Sequence, residues 1–294
     1  MTKLTIQKPT LLLDPVKIQS NINKMAAKAQ QSGVRFRPHF KTHQSAQVGA
    51  WFRARGVEAI TVSSIDMAAY FARHGWQDIT IAFPVNILEI EHINKLARQI
   101  KLGLLVESAQ VVQFLAEHLT APVQVWIEVD AGDHRAGISW TAPDECVALA
   151  RAIESITPLS FKGLLTHSGH TYAARSKTQV EAMYQETVSR MQHIQKQLTT
   201  AGFEQTEISI GDTPSCSLVD DLSAVDEIRP GNFVFYDIMQ LKIGSCTEEE
   251  IGVAVACPIV GKHPERNELI IYGGAVHLSK EFMEVNGTWP DQNG

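Results

Sequence analysis

Apolar runs of strand length alternate with amphipathic stretches of helical period along most of this chain. After Leu11-Leu12-Leu13, the spacing of Val16, Ile18, Ile22, Met25 and Ala26 predicts a helix over residues 15–31. Asp14 is placed to cap it and Pro15 to open it. Strand-like runs then recur at 34–38, 59–62, 79–83, 102–106, 123–129, 161–166, 207–210 and 225–228. Between them, helices are predicted near 44–55, 67–74, 87–98, after the cap Ser108, at 143–154 and near 178–200. Eight strands with intervening helices predict an α/β protein with a parallel sheet, and eight is the closing number of a (β/α)8 TIM-type barrel. An open doubly wound sheet remains the alternative at this stage. After Tyr236 the pattern changes to strands at 251–260 and 269–272 with no helix between them. We therefore divide the chain into a barrel over 10–240 and an antiparallel β domain made of 1–9 plus 241–294. Two or three strands would leave an apolar edge uncovered. The expectation is that this β domain is incomplete here and continues in a longer protein.

Composition narrows the function classes. The 294 residues exceed the roughly 250 of an ordinary α/β barrel, and the surplus matches the appended strands. Lys plus Arg number 26 against 32 Asp plus Glu, a net charge of −6, so no basic surplus advertises a nucleic-acid partner. No run of 18 apolar residues predicts a membrane span, and the first residues lack a secretory apolar core. A cytoplasmic location is expected. Cys146, Cys216, Cys246 and Cys257 share no close spacing, which argues for scattered thiols rather than a disulfide framework or a zinc site.

Barrels collect their chemistry at the carboxyl ends of strands. Those positions here carry Lys41 between His39 and His43; Asp130, His134 and Arg135; His167, His170 and Tyr172; Gly211-Asp-Thr; and Arg229-Pro-Gly-Asn. Gly211, Thr213 and Gly231 follow the seventh and eighth strands, where barrels commonly bind phosphate. A lysine opposite a phosphate cradle suits a phosphorylated aldehyde held as a Schiff base, with pyridoxal phosphate the obvious candidate. Each feature also has a plainer reading. Lys41 can be a solvated lysine, the Gly-Asp-Thr-Pro-Ser segment an ordinary capped turn, and Arg135 a partner of Asp130 or Asp133. His167 and His170 alone are too few to specify a metal.

Six segments together resemble the fold-type III pyridoxal-phosphate enzymes, specifically the D-threonine aldolase and D-serine dehydratase family, with the alanine racemases as more distant kin. They are Arg37-Pro-His-Phe-Lys-Thr-His, Glu128-Val-Asp-Ala-Gly-Asp-His-Arg-Ala-Gly, Thr166-His-Ser-Gly-His-Thr-Tyr, Ile210-Gly-Asp-Thr-Pro-Ser, Arg229-Pro-Gly-Asn and Tyr272-Gly-Gly-Ala-Val-His-Leu-Ser-Lys. The resemblance implies that Lys41 carries pyridoxal phosphate, Arg135 lies near its phenolic oxygen and His167 packs on its ring. Gly211, Thr213, Gly231 and Asn232 would hold the phosphate, with Arg229 and Tyr172 shared between the ring nitrogen and the substrate side. It implies a lyase on D-β-hydroxy-α-amino acids, D-threonine aldolase-like, cleaving to glycine and an aldehyde. D-serine dehydration is the first alternative, racemisation the next, and a non-catalytic pyridoxal-phosphate-binding protein the last. A homodimer and a divalent metal in the full-length protein also follow from the resemblance. The family's C-terminal metal motif is not found between Gly244 and Gly294, so the metal ligands stay unknown.

Overall fold

The computed structural model describes residues 5–278. Residues 1–4 of the expected second domain, Ser279-Lys280 of the last resembling segment and the polar end of the chain lie outside the described residues.

Thirteen strands are described: β1 Thr10–Leu13, β2 Arg35–Phe36, β3 Ala59–Val62, β4 Asp78–Pro84, β5 Lys101–Val106, β6 Val123–Asp130, β7 Ile138–Ser139, β8 Leu159–His167, β9 Glu207–Gly211, β10 Glu227–Ile228, β11 Val253–Ala256, β12 Ile259–His263 and β13 Glu268–Ile271. Eight of them form a parallel sheet in the order β2-β10-β9-β8-β6-β5-β4-β3, with β7 attached to β6. A parallel bridge between His39 and Thr61 joins the two ends of that order. Thr61 donates its N–H to Pro38 O (3.0 Å), and Phe40 donates to Thr61 O (2.8 Å). The barrel therefore closes through the residues immediately before Lys41.

The helices form for local reasons. Asp14 accepts from the N–H groups of Val16 and Lys17 at the start of α1, Pro15–Gln31. Ser45 caps α2, Ala46–Arg53, and Ser64 caps α3, Ile65–Arg73. These hydroxyls set the boundaries a residue or two away from those the periodicity suggests. The helix expected over 87–98 opens as a 3-10 turn, Ile87–Glu89, before continuing as α4, Ile90–Ala97. Ser108 caps α5, Ala109–His118, followed by α6 (Pro143–Glu154), α7 (Lys177–Thr200), α8 (Thr213–Leu218) and α9 (Ile238–Ile243).

Alternation along β6 shows how the barrel is filled. Val125, Ile127 and Val129 pack into the large core between sheet and helices. Trp126 points the other way and clusters with Leu105, Leu165 and Ala82 inside the barrel. At the amino end the interior is plugged by charge: Glu227 accepts from Arg35 (2.6 Å) and Arg37 (2.7 Å), and Arg37 reaches Asp78 (2.6 Å). At the carboxyl end the same inward positions carry Glu128, two residues beyond Trp126, and His167, two beyond Leu165.

The Leu11-Leu12-Leu13 run does not enter the barrel. It forms β1 and pairs antiparallel with β11, while β12 and β13 make a separate hairpin turned by Pro264–Arg266 and Asn267. Pairing across some 240 residues leaves no periodicity signal, so the sequence pattern alone could not assign it.

Candidate active site

Lys41 follows β2 in a turn held by its own neighbours. Its N–H donates to His39 Nδ1 (3.3 Å). The Lys41 amine reaches solvent, yet the surrounding mouth lowers its pKa, by desolvation first and then by the nearby charges of Arg135 and Arg229. The same cations act on His39 and His167 together with Lys41, and burial pushes both imidazoles to the neutral form, His167 down to about 4. His167 Nδ1 lies 2.5 Å from Gly211 O. A carbonyl only accepts, so the proton sits on Nδ1 and Nε2 is left bare. The end of β8 and the end of β9 are thereby tied together.

Arg135 lies in the β6–β7 loop. Asp130 is occupied by the N–H groups of Gly132 and His134 and by His134 Nδ1 (3.1 Å), so it is not the partner the sequence allowed for Arg135. Arg229 is buried: Nε donates to Ser209 Oγ (2.7 Å) and Nη2 to Thr166 O (2.5 Å). Desolvation lowers its guanidinium to about 10. Lys41, Arg135, His167 and Arg229 thus share one electropositive mouth.

The phosphate-side residues form a second, adjoining group. Tyr172 sits in the 3-10 turn Gly169–Ala173, with its hydroxyl beside Thr213. Thr213 Oγ1 accepts from Phe233 N–H (3.3 Å), linking the β9 loop to the Gly231–Asn232 turn. Asp212 Oδ1 accepts from Ser215 N–H (2.6 Å) and Thr171 Oγ1 (3.0 Å), fastening the Tyr172 turn to the start of α8. A Cβ on Gly231 would sit 3.0 Å from His39 O, and one on Gly211 would sit 2.8 Å from Arg229 Cβ. Both positions accept only the smallest residue without displacing the mouth. The N–H groups of Gly231 and Asn232 have no acceptor among the described residues. Free amides, a hydroxyl and an adjacent cationic amine are the donor set that a phosphorylated aldehyde requires, and the residues present fit pyridoxal phosphate.

Two neighbours were quoted in the sequence motifs without being assigned to the site. His39 closes the barrel beside Lys41, and Glu128 points into the mouth from β6. Their signal was inward alternation on a barrel strand. His43 stays out of the mouth, packed against Phe40 and Phe52 with Nδ1 accepting from Ser45 N–H. His170 lies near Asp133 and Arg190 with both ring nitrogens buried and unpartnered. No group of three or more His, Cys, Asp or Glu among the described residues is placed to hold a metal. A cavity of about 1370 Å³ lies at the opposite end of the barrel beside Arg35, Arg53, Asp78 and Lys101. These cations are already partnered, Arg53 by Trp76 and the His74 carbonyl, so the cavity has no share in this chemistry.

A barrel with a lysine and free backbone amides gathered at its carboxyl end is the arrangement of a class, the fold-type III pyridoxal-phosphate enzymes. The family described as alanine racemase, N-terminal domain, matches residues 13–238, and the chain belongs to it. The chain is 29% identical to D-threo-3-hydroxyaspartate dehydratase of Delftia sp., over 95% of this chain and 74% of that protein. It is 32% identical to D-serine dehydratase of Dictyostelium discoideum, over 92% of this chain and 73% of that one. The solved structure of the Delftia dehydratase superposes with a TM-score of 0.89, covering 94% of this chain and 74% of that one at 28% identity. D-threonine aldolase from Filomicrobium marinum shares the fold at a TM-score of 0.84 and 22% identity, over 92% of this chain and 74% of that one.

Proposed function

We propose that this chain is a pyridoxal-phosphate-dependent lyase of small D-β-hydroxy-α-amino acids. One observation carries the reading: the amine of Lys41 stands at the barrel mouth with its pKa lowered beside Arg135 and Arg229. When bound, pyridoxal phosphate supplies an electron sink for negative charge developing at the amino acid Cα. Lys41 is the residue that would hold the cofactor's aldehyde. With its pKa lowered by desolvation and then by Arg135 and Arg229, the same amine would be suited to accept the Cα proton. His167 presents a neutral ring of fixed orientation, and Arg229, held at Nε and Nη2, supplies fixed positive charge with Arg135 nearby. Thr213, Gly231 and Asn232 would hold the phosphate, with Tyr172 and Gly211 fixing the cradle's shape.

Two routes are open to such a site: removal of the β-hydroxyl proton splits Cα–Cβ into glycine and an aldehyde, whereas transfer of the Cα proton to Lys41 lets the β-hydroxyl leave as water, and hydrolysis of the product gives a keto acid and ammonia. Similarity supports both routes, because dehydratases match at 29% and 32% identity and a 3-hydroxy-D-aspartate aldolase of Paracoccus denitrificans at 28%. A divalent metal and a homodimer belong to this reading as well. The metal is supported by the solved metal-free form of a cysteine-to-alanine variant of D-threo-3-hydroxyaspartate dehydratase. The described residues do not supply its ligands, and no step above passes through it. No helix among the described residues is long and apolar enough to cross a membrane, and the reading places the enzyme in the cytoplasm.

The test is incubation with pyridoxal phosphate and either D-serine or D-threonine. Pyruvate plus ammonia is expected from D-serine, and glycine plus acetaldehyde from D-threonine would establish the aldol route. Lys41→Ala should lose the visible absorbance of the bound cofactor. An unchanged band in that variant, or no turnover of either substrate, overturns the reading.

A further inference from the structure

β6 carries Glu128 on the inward face that also bears Trp126 and, at the strand's end, Asp130. Glu128 is 4% exposed, and its Oε2 is buried with no hydrogen-bond partner. A solitary buried carboxylate is costly unless a donor or a cation compensates it. The charged groups around Glu128 come from three separate elements: Glu107 at the end of β5, Asp133 and Arg135 in the β6–β7 loop, and Arg229 after β10. Glu107 is engaged elsewhere, accepting from Gly137 N–H (2.7 Å). Arg229 is anchored at Nε and Nη2, whereas Arg135 is exposed. Glu128 therefore shares Arg135 and Arg229 with Lys41, whose amine feels the same two cations.

We propose that Glu128 is a positioning residue whose single proton sets how far the charges of Arg135 and Arg229 bear on Lys41. Protonated, Glu128 offsets neither guanidinium, and Arg229 is left with Glu227 as its main acidic counter-charge. Ionised, it offsets them and draws Arg135 inward, so the proton on Lys41 is held more tightly. Burial, then Glu107, raises the Glu128 carboxyl to about 7, which puts this change near neutral pH. The inference rests on the lyase reading for its consequence in catalysis, but not for the proton itself.

The experiment compares wild type, Glu128→Gln and Glu128→Asp as full chains loaded with pyridoxal phosphate. Infrared difference spectra of wild type against Glu128→Gln should show a protonated carboxyl stretch at pH 5.5 that disappears by pH 8.5. Absorbance titration of the bound cofactor at high pH should show its Lys41-linked transition about one pH unit lower in Glu128→Gln, because the carboxylate that offsets Arg135 and Arg229 is gone. Glu128→Asp should restore the wild-type transition at least in part. In kcat/KM for D-serine, the inflection near pH 7 should vanish in Glu128→Gln and return in Glu128→Asp. No carboxyl signal, or a Glu128→Gln titration identical to wild type, overturns the proposal while leaving the lyase reading intact. Failure of the wild type to bind pyridoxal phosphate would instead overturn the reading.

Discussion

The histidines near the mouth are distinguished by what their two ring nitrogens meet. Those of His39, His43 and His167 each bear a pKa below the ordinary value, desolvation being the first cause in every case. Only His167 donates to a carbonyl, which fixes it as a platform; His39 and His43 accept backbone N–H groups and brace the turn around Lys41. His43 offers the clearest test, because it lies among aromatic rings and takes no part in the proposed chemistry. Its pKa falls to about 4 in the folded chain from 6.5. A group lowered on folding contributes stability that is full above the unfolded value and lost as pH falls towards the folded one. About 3 kcal/mol is at stake between pH 7 and 4. His43→Leu should cost about 1 kcal/mol at pH 8, where Ser45 N–H loses its acceptor, and should equal or exceed wild type at pH 4.5. Urea unfolding at the two pH values measures this, and a constant difference between the two proteins would contradict it.

At the scale of elements, β8 is the strand on which the site hangs, since it delivers His167 and leads into the Tyr172 turn. Its register against β6 shifts at Gly163, where a Cβ would lie 2.1 Å from Glu207 O on β9. Gly163→Ala must push β9 away from β8. The expected cost is about 3 kcal/mol, read from chemical denaturation, with weaker pyridoxal-phosphate binding because Gly211 closes β9. Wild-type stability in this variant would mean the strand pair has slack that the contact distances deny. Asp212 makes the complementary case between loops. Asp212→Ala releases Thr171 and Ser215 N–H together, so it should loosen the Tyr172–Thr213 contact and weaken cofactor affinity by about tenfold, measured by fluorescence titration.

This division also explains what was legible beforehand. The barrel strands, the capped helices and the residues at strand ends follow from period and from side-chain chemistry, both local. The Thr10–Leu13 pairing with β11, the added strand β7 and the roles of His39 and Glu128 depend on which face a strand turns inward, a property fixed only by its neighbours in the closed sheet. Arg35 and Arg37 bracket Phe36 in the sequence, but their partners Asp78, Glu207 and Glu227 lie far along the chain, so their inward facing could not be read there.

Over the whole molecule the buried acids sort by barrel end. At the amino end, Arg37 and its neighbours hold Asp78 and Glu227 below the usual carboxylate range despite burial. At the carboxyl end, burial raises Asp212 to about 6 and Glu128 to about 7. The two ends therefore respond to pH with opposite sign. Asp78 and Glu227 stabilise the fold above their unfolded values near 4, and that contribution is lost as pH falls through their lower folded values. Asp212 and Glu128 are stabilising when protonated, and lose that contribution as pH rises through about 6 and 7. The amino end thus secures the barrel and the carboxyl end tolerates unfavourable charge where chemistry needs it, the distribution expected of such folds. Glu227→Gln separates the two. With Glu227 wholly buried between Arg35 and Arg37, the variant leaves two guanidinium groups without their shared carboxylate and should lose about 3–5 kcal/mol at pH 7. Its stability should fall less steeply than that of wild type between pH 4.5 and 3, because one of the titrating carboxylates is gone. If Glu227→Gln instead keeps the wild-type acid limb, the amino-end network is not what holds the barrel together in acid.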